Sequence, residues 1–329
     1  MTTLNGAAGR WRLPRPQTRH VPVLATLALL ALMYGLGSLR YIGFNDPQVI
    51  LNVFIDNAFV LVVAVGMTFV ILTGGIDLSV GSVVALTTML TAVLMERAHW
   101  PVPVVLATVL AVGALLGFGM GCIIHFFEIQ PFIVTLAGMF LARGICYAIS
   151  TSSISINDPF WTAMGKSLRF GEFRVTWSVL VALAVVAIAA YVLAFTRLGR
   201  DSYAVGGNQQ SALLMGLPVG RTRIAVYTIS GLCSAIGGVL FTFYLPSGNS
   251  LHAIGMELNV IAAVVIGGTL LTGGTGYVVG TMLGVLALGL IQTIITFEGT
   301  LSSWWTKMVI GILLFAFILL QRLIAARRT

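Results

Sequence analysis

The stretch TGGIDLSVGSVVALTTML, Thr73 to Leu90, places one carboxylate, Asp77, behind two glycines and ahead of a serine, among residues that otherwise belong in oil. The solvent around this stretch decides the fold. Residues 53–72 before it and 80–95 after it are continuously apolar, with Asp56 the one charge between them. Runs of this kind approach the roughly 20 residues that cross a bilayer core of about 30 Å. Gly74 and Gly75 end the first helix, and Asp77 or Ser79 is placed to cap the next by accepting hydrogen bonds from its free N–H groups. The dipole at a helix N-terminus also favours an anion there. A cap, a gate and a polar contact with a passing solute all remain open readings of Asp77, because ionisable groups inside membranes are often functional.

Composition extends this reading to the whole chain. Of 329 residues 58% are hydrophobic and 9% charged, with mean hydropathy +1.02. A soluble domain carries about 25% charged residues and cannot hide so large an apolar fraction. Apolar runs near 21–37, 53–72, 80–95, 103–124, 132–149, 176–195, 224–243, 258–272, 278–296 and 305–321 predict an all-α, polytopic integral membrane protein of about ten transmembrane helices. The runs do not alternate, which argues against a transmembrane barrel. The third and eighth are short and glycine-interrupted. They are expected to be broken or partly re-entrant, with protein or water around their free backbone groups. The basic start followed by an apolar run is like a signal peptide without a clear small-residue cleavage site, so an uncleaved first span is expected.

Lysine and arginine set the topology. With the N-terminus inside, Arg10, Arg12, Arg15, Arg19, Arg197, Arg200, Arg221, Arg223, Arg322, Arg327 and Arg328 are cytoplasmic, which is 11 charges against 6 outside. Both termini are therefore expected in the cytoplasm. The chain divides into a basic tail (1–20), a transmembrane domain (21–322) and a short basic tail (323–329). A polar loop at 150–175 lies outside, and a loop at 196–223 lies inside. The inner loop contains a short helix, Gln209 to Gly216, capped by Asn208 and ended by glycine and proline. The net charge of +8 reads as membrane flanks and not as a nucleic-acid surface.

LTGGIDLSVGS from Leu72 and LTGGTGYVVGT from Leu271 echo one another at an offset of 199 residues. Duplicated halves are common in transporters, though glycine-rich matches this short also arise by chance. Gly113, Gly117 and Gly121, and likewise Gly276, Gly280 and Gly284, repeat every four residues, which lets neighbouring backbones approach closely. Gly165–Ser167 imitates the end of a phosphate-binding loop, but Phe160 stands where its glycine is required, so no nucleotide site is expected. Cys122, Cys146 and Cys233 are scattered through apolar runs, and no metal-ligand spacing, cofactor fingerprint or catalytic constellation is present. Arg143 sits toward the middle of its span and needs a carboxylate or carbonyl partner, or else lines a polar path. Asn57, Thr68, Asp77, Ser79, Arg143 and Gln292 are the candidate path or gate residues. Few charges among them suit an uncharged solute, for which aromatic faces such as Phe59 are also available.

The strings at 56–82, 131–144, 204–216 and 266–281 resemble the permease subunits of bacterial ATP-binding-cassette importers for monosaccharides, the ribose/xylose/galactose branch. FEGTLSSWWTKMVIGILLF, residues 297–315, narrows the resemblance to galactofuranose importer permeases. The resemblance implies a ten-helix bundle in the bacterial inner membrane, paired with a second permease copy or paralogue. It also implies two cytoplasmic ATPases, a periplasmic sugar-binding protein and alternating access without chemistry on the sugar. Gly207, Asn208, Gln209, Ser211, Ala212, Leu214, Met215 and Gly216 would then form the coupling helix that docks on the ATPase. An ion-coupled secondary transporter is the competing reading. It calls for intramembrane carboxylates, for which Asp56 and Asp77, both near span ends, are the candidates. A polytopic membrane enzyme is third, and it lacks a catalytic cluster.

Overall fold

The computed structural model describes residues 21–300 and 304–326. The expected basic tail 1–20 lies outside them, as do residues 327–329. The first part of the chain forms α1 (Val21–Arg40), α2 (Pro47–Leu72), α3 (Val80–Glu96), α4 (Val102–Phe126) and α5 (Pro131–Ile149). A non-membrane segment follows, with β1 (Ile154–Ser155), α6 (Pro159–Gly165) and an antiparallel hairpin of β2 (Ser167–Phe170) and β3 (Phe173–Thr176). The chain then continues through α7 (Trp177–Phe195), α8 (Arg197–Gly207), α9 (Gln209–Leu214) and α10 (Val219–Tyr244). It ends with β4 (Ser247–Gly248), α11 (Met256–Ile266), α12 (Val278–Glu298) and α13 (Trp304–Ala326). Among the described residues seven helices are long and apolar enough to cross a membrane, joined by the shorter apolar stretches of α3, α11 and α13. The expected ten-helix, all-α membrane architecture is what the chain forms.

Local chemistry sets the helix starts. Asp46 caps α2, its side chain accepting from Gln48 N at 2.8 Å, and Pro47 takes the first position, where a missing N–H costs nothing. Proline also opens α5. Beyond a polar strip of Asn52 and Asp56 near its start, α2 is apolar all round, and 83% of its spanning window is buried, so it is the central helix of the bundle. α7 has the same composition with 33% buried, which puts much of its surface toward lipid. α10 packs on α4 through the glycine repeat: a Cβ at Gly117 would stand 2.2 Å from Tyr227 O. The second repeat does the same for α12 and α11, where Gly280 faces Gly267 O and Gly284 faces Ala263 O.

Two faces follow from contacts. Gln48, at the start of α2, bonds both backbone groups of Arg174 in β3, and the antiparallel pairing of β1 with β4 ties the end of α5 to the end of α10. This is the hairpin face. The other end of α2 meets α8, and we call it the α8 face.

The structure corrects three expectations. The eighth span does not reach residue 272. α11 stops at Ile266 because Gly267 and Gly268 break it, with Gly268 at φ 95°, and residues 267–277 form a loop. The inner loop also holds a full helix, α8, that periodicity had not revealed. α13 runs on to Ala326, so part of the stretch assigned to a C-terminal tail is helical.

Gly117→Val should crowd the α4–α10 contact and destabilise the protein by about 1–3 kcal/mol, the usual cost of overpacking. Gly119→Ala, two residues away with nothing within 4 Å of its Cβ position, should not. Thermal unfolding in detergent distinguishes the two. Equal midpoints would show that the close approach is not required.

Candidate functional site

On the α8 face the two halves of the sequence echo meet. Gly274 N donates to Leu72 O at 2.9 Å, joining the loop after α11 to the end of α2. α8 lies against this junction through Gly206, where a Cβ would stand 1.8 Å from Leu72 O and 2.5 Å from Gly274 N. No other residue fits there. Tyr203, one turn earlier, donates to Gly276 O at 2.8 Å. Burial raises its phenol above the ordinary value, further from neutral pH, where the hydroxyl is a donor in either case.

α9 projects from the same junction. Asn208 Oδ1 accepts from Ser211 N at 2.8 Å, the cap that the sequence predicted, and Gln209 accepts from Arg223. Ala212 is buried against Val205 and Val219, anchoring the helix on its own protein. Leu213, Leu214 and Met215 point away, with Leu214 86% exposed. Gly216, at φ 74°, turns the chain back toward α10.

Asp77 lies deeper. One carboxylate oxygen accepts from Ser79 N at 2.9 Å and Ser79 Oγ at 2.6 Å, and the other accepts from Ser230 Oγ at 2.7 Å. Ser230 is about 16 Å along α10 from its first residue, at 1.5 Å per residue. Residues 73–79 therefore re-enter the bundle before α3 begins. Ser79 occupies the cap position of α3 but makes no side-chain cap bond. Asp77 thus holds the extended entry segment to α10 and does not cap α3 directly. Beside it, Tyr227 Oη is buried and has no hydrogen-bond partner.

A second unwound segment enters from the hairpin face. Gly248 packs on Ala92, His252 Nδ1 meets Thr88 Oγ1 at 3.3 Å, and Glu257 faces Gly81, all along α3. Residues 248–257 therefore run down α3 for about 16 Å, and α11 starts inside the bundle. Arg143 explains how this backbone is tolerated. Its Nη1 donates to Ser250 O and to His252 O, the latter at 2.8 Å. Of the two bland partners expected for Arg143, carbonyls are the ones it has.

The remaining candidates separate. Thr68 Oγ1 bonds Ala64 O and shares a 2.7 Å hydrogen bond with Thr281 Oγ1, which makes it a buried α2–α12 contact. Asn57 and Gln292 line one cavity of about 440 Å³ between α2 and α12, with Asn52, Asp56, Phe59, Tyr244 and Thr296. The structure thus places the six path residues in four locations. Sequence reasoning missed Glu257, Ser230 and Gly206. Glu257 sits just before an apolar run and reads as a flank. Ser230 and Gly206 carry no local signal, because their partners lie 153 and 134 positions away in sequence.

These features define a polytopic transport bundle with two unwound segments and a projecting helix on one face. The chain belongs to the permease family described as the branched-chain amino acid transport system permease component, whose model matches residues 49–318. It is 46% identical to the inner membrane ABC transporter permease protein YjfF of Escherichia coli K12, over 92% of each chain. It is 38% identical to the fructose import permease FruG of Bifidobacterium longum, over 93% of this chain and 92% of the relative. It is 35% identical to the ribose import permease RbsC of Escherichia coli K12, over 91% and 92%. No solved structure matches the chain.

Asp77→Leu should destabilise the protein by about 1–3 kcal/mol or more by stripping Ser79 and Ser230 of their acceptor, whereas Asp77→Asn should keep most stability and activity. Tyr227→Phe removes an unpartnered buried hydroxyl and should leave stability equal or higher. A loss in Tyr227→Phe would show that the hydroxyl is bonded in the membrane. Uptake and thermal unfolding of the three variants check these outcomes.

Proposed function

We propose that the chain is the membrane-spanning subunit of an ATP-driven importer for a monosaccharide, in the bacterial inner membrane with both termini and α8–α9 in the cytoplasm. Fructose and ribose in the names of two relatives support a sugar cargo. The string at 297–315 favours galactofuranose. The 11-to-6 split of Lys and Arg supports the orientation, which makes the hairpin face periplasmic. A second permease copy or paralogue completes the path, a periplasmic binding protein delivers the sugar, and two cytoplasmic ATPases supply the work.

The observation that carries this reading is the tip of α9. Leu213, Leu214 and Met215 are exposed together on a helix fixed to its own bundle by Ala212. A cytoplasmic loop has no reason to show that much apolar surface unless a partner covers it. An ATPase groove is the partner that fits. Behind the tip, the Gly206 contact puts α8 against both the Leu72 and the Gly274 backbones, so displacement of α9 reaches α2 and the loop between α11 and α12 with little slack. Gly207 and Gly216 set the turns at each end, and Asn208, Gln209 and Ser211 hold the helix start. Asp77, Ser79, Arg143 and Thr68 maintain the segments that this motion shifts.

Met215→Asp should leave membrane insertion intact while releasing the ATPase or uncoupling ATP hydrolysis from uptake. Pull-down of the ATPase and sugar uptake into vesicles are the measurements, and normal values of both would remove α9 from the mechanism. The purified chain by itself should bind no ATP. Saturable binding in the absence of partners would contradict the division of labour.

A further inference from the structure

We propose that the cavity between α2 and α12 near the hairpin face is a sugar subsite on the permease itself. Its polar contacts are Asn52, Asp56, Gln292 and Thr296, and Tyr244 and Phe59 form an aromatic wall. This rests on the importer reading above and adds to it a place where cargo is held after leaving the binding protein.

Three observations converge on this site. First, each helix contributes polar groups at i and i+4, Asn52 and Asp56 from α2 and Gln292 and Thr296 from α12, so each pair shares one face. All four are exposed in the isolated chain. Asp56 lies about 14 Å and Gln292 about 9 Å from the hairpin-face ends of their helices. Asn52 and Thr296 lie one turn nearer those ends. A carboxylate and an amide at the depth of Asp56 and Gln292 are too costly to face hydrocarbon, so this face meets water or protein.

Second, the chemistry suits a polyol. A carboxylate accepts from hydroxyl groups, the amides of Asn52 and Gln292 both donate and accept, and Thr296 does either. Phe59 and Tyr244 stand 5.8 Å apart between ring centroids, with Phe59 held edge-on by Phe241 at 4.9 Å. An aromatic face packs against the C–H side of a sugar ring while the polar groups take its hydroxyls. The cavity volume of about 440 Å³ falls within the range of small-molecule sites.

Third, the wall is built to be stable without ligand. Asn57 is buried and donates to Val53 O at 2.9 Å in its own helix. It fits because Gly289 on α12 has no side chain: a Cβ there would stand 2.4 Å from Asn57 Nδ2. Asn57 is therefore the floor that spaces α2 from α12. Asp56 is left for cargo, and Asn52, whose Oδ1 accepts from Gln48 Nε2 at 2.9 Å, still offers its amide N–H groups. A second cavity of about 680 Å³ shares Gln292 and Thr296 and adds Asn259 and Lys307, which extends the polar surface toward α11 and α13.

The test uses the assembled importer, permease with its ATPase and binding protein, in vesicles supplied with radiolabelled monosaccharide. Asp56→Leu should lower uptake about tenfold or more, the loss expected for a hydrogen bond to a charged group, and Gln292→Leu about three- to tenfold, the loss expected for a neutral one. ATPase pull-down should stay normal in both. Thr108→Val should leave uptake unchanged, because that hydroxyl bonds back to Val104 O of its own helix. Unchanged uptake in both leucine variants overturns the subsite. In a second arm, Thr296→Cys is treated from the hairpin side with a membrane-impermeant maleimide, against the unsubstituted complex as background. Labelling that slows when the transported sugar is present supports the site. Labelling indifferent to sugar overturns it. So does absence of labelling, which would mean that a second permease covers the face. An unmodified complex that takes up no monosaccharide overturns the importer reading, and the subsite with it.

Discussion

Backbone polar groups cannot be left unpaired where water is scarce, and this bundle breaks its helices there twice. Residues 73–79 rise from the α8 face and residues 248–257 descend from the hairpin face, both along α3 or toward it. Each intrusion is held by one charged side chain. Asp77 receives Ser79 and Ser230, and Arg143 gives its protons to the carbonyls of Ser250 and His252. Among the described residues neither side chain has an ion-pair partner. Each is solvated by dipoles of the protein, an arrangement that preserves the broken helix and would be lost if either were replaced by an apolar group.

The broken helices change how the bundle can move. A continuous helix packed along its whole length resists sliding, whereas α3 and α11 each end in a segment whose position depends on a few hydrogen bonds. Gly81, in the first turn of α3, faces Glu257, in the first turn of α11. The two helix starts therefore meet inside the protein. At the α8 face the connection is tighter: Gly206, Leu72 and Gly274 meet backbone to backbone, without side chains to absorb a displacement. Soft segments within and a stiff contact at one face form a coherent mechanical arrangement. In the proposed importer, movement applied at this face would be passed on through the backbone contacts, and the unwound segments are where it would be taken up.

Much of this was legible in the sequence, for identifiable reasons. Apolar run length carries the solvent requirement directly, so ten helices could be counted. The four-residue glycine spacing carries helix–helix approach, and Gly117 against Tyr227 O is its realisation. Asn208 followed by Ser211 carried the α9 cap because the interaction is local. What escaped was long-range or polar. α8 has a polar face of Arg197, Arg200 and Asp201, so its helical character was hidden in a loop that looked hydrophilic. The TGG echo showed two similar strings but not that they touch. Asp56 looked like a span-end residue because the apolar run starts at residue 53; α2 begins at Pro47, which makes Asp56 its tenth residue, and Gln292 across the cavity gives it a context.

The same placement bears on how transport is powered. An ion-coupled carrier needs an intramembrane carboxylate that can exchange a proton or cation with water. Asp77 is a poor candidate, since both its oxygens are engaged by Ser79 and Ser230 in a site of zero exposure. Asp56 does face a cavity, but amide and hydroxyl groups surround it there, a setting that recognises a neutral polyol as well as it stabilises a charge. The exposed apolar tip of α9 lies on the opposite face, joined to α2 through the glycine junction. A polar cavity at one end of α2 and an exposed apolar tip at the other fit the proposed division, in which work enters from a separate protein and one helix would link the site that receives force to the site that holds the solute.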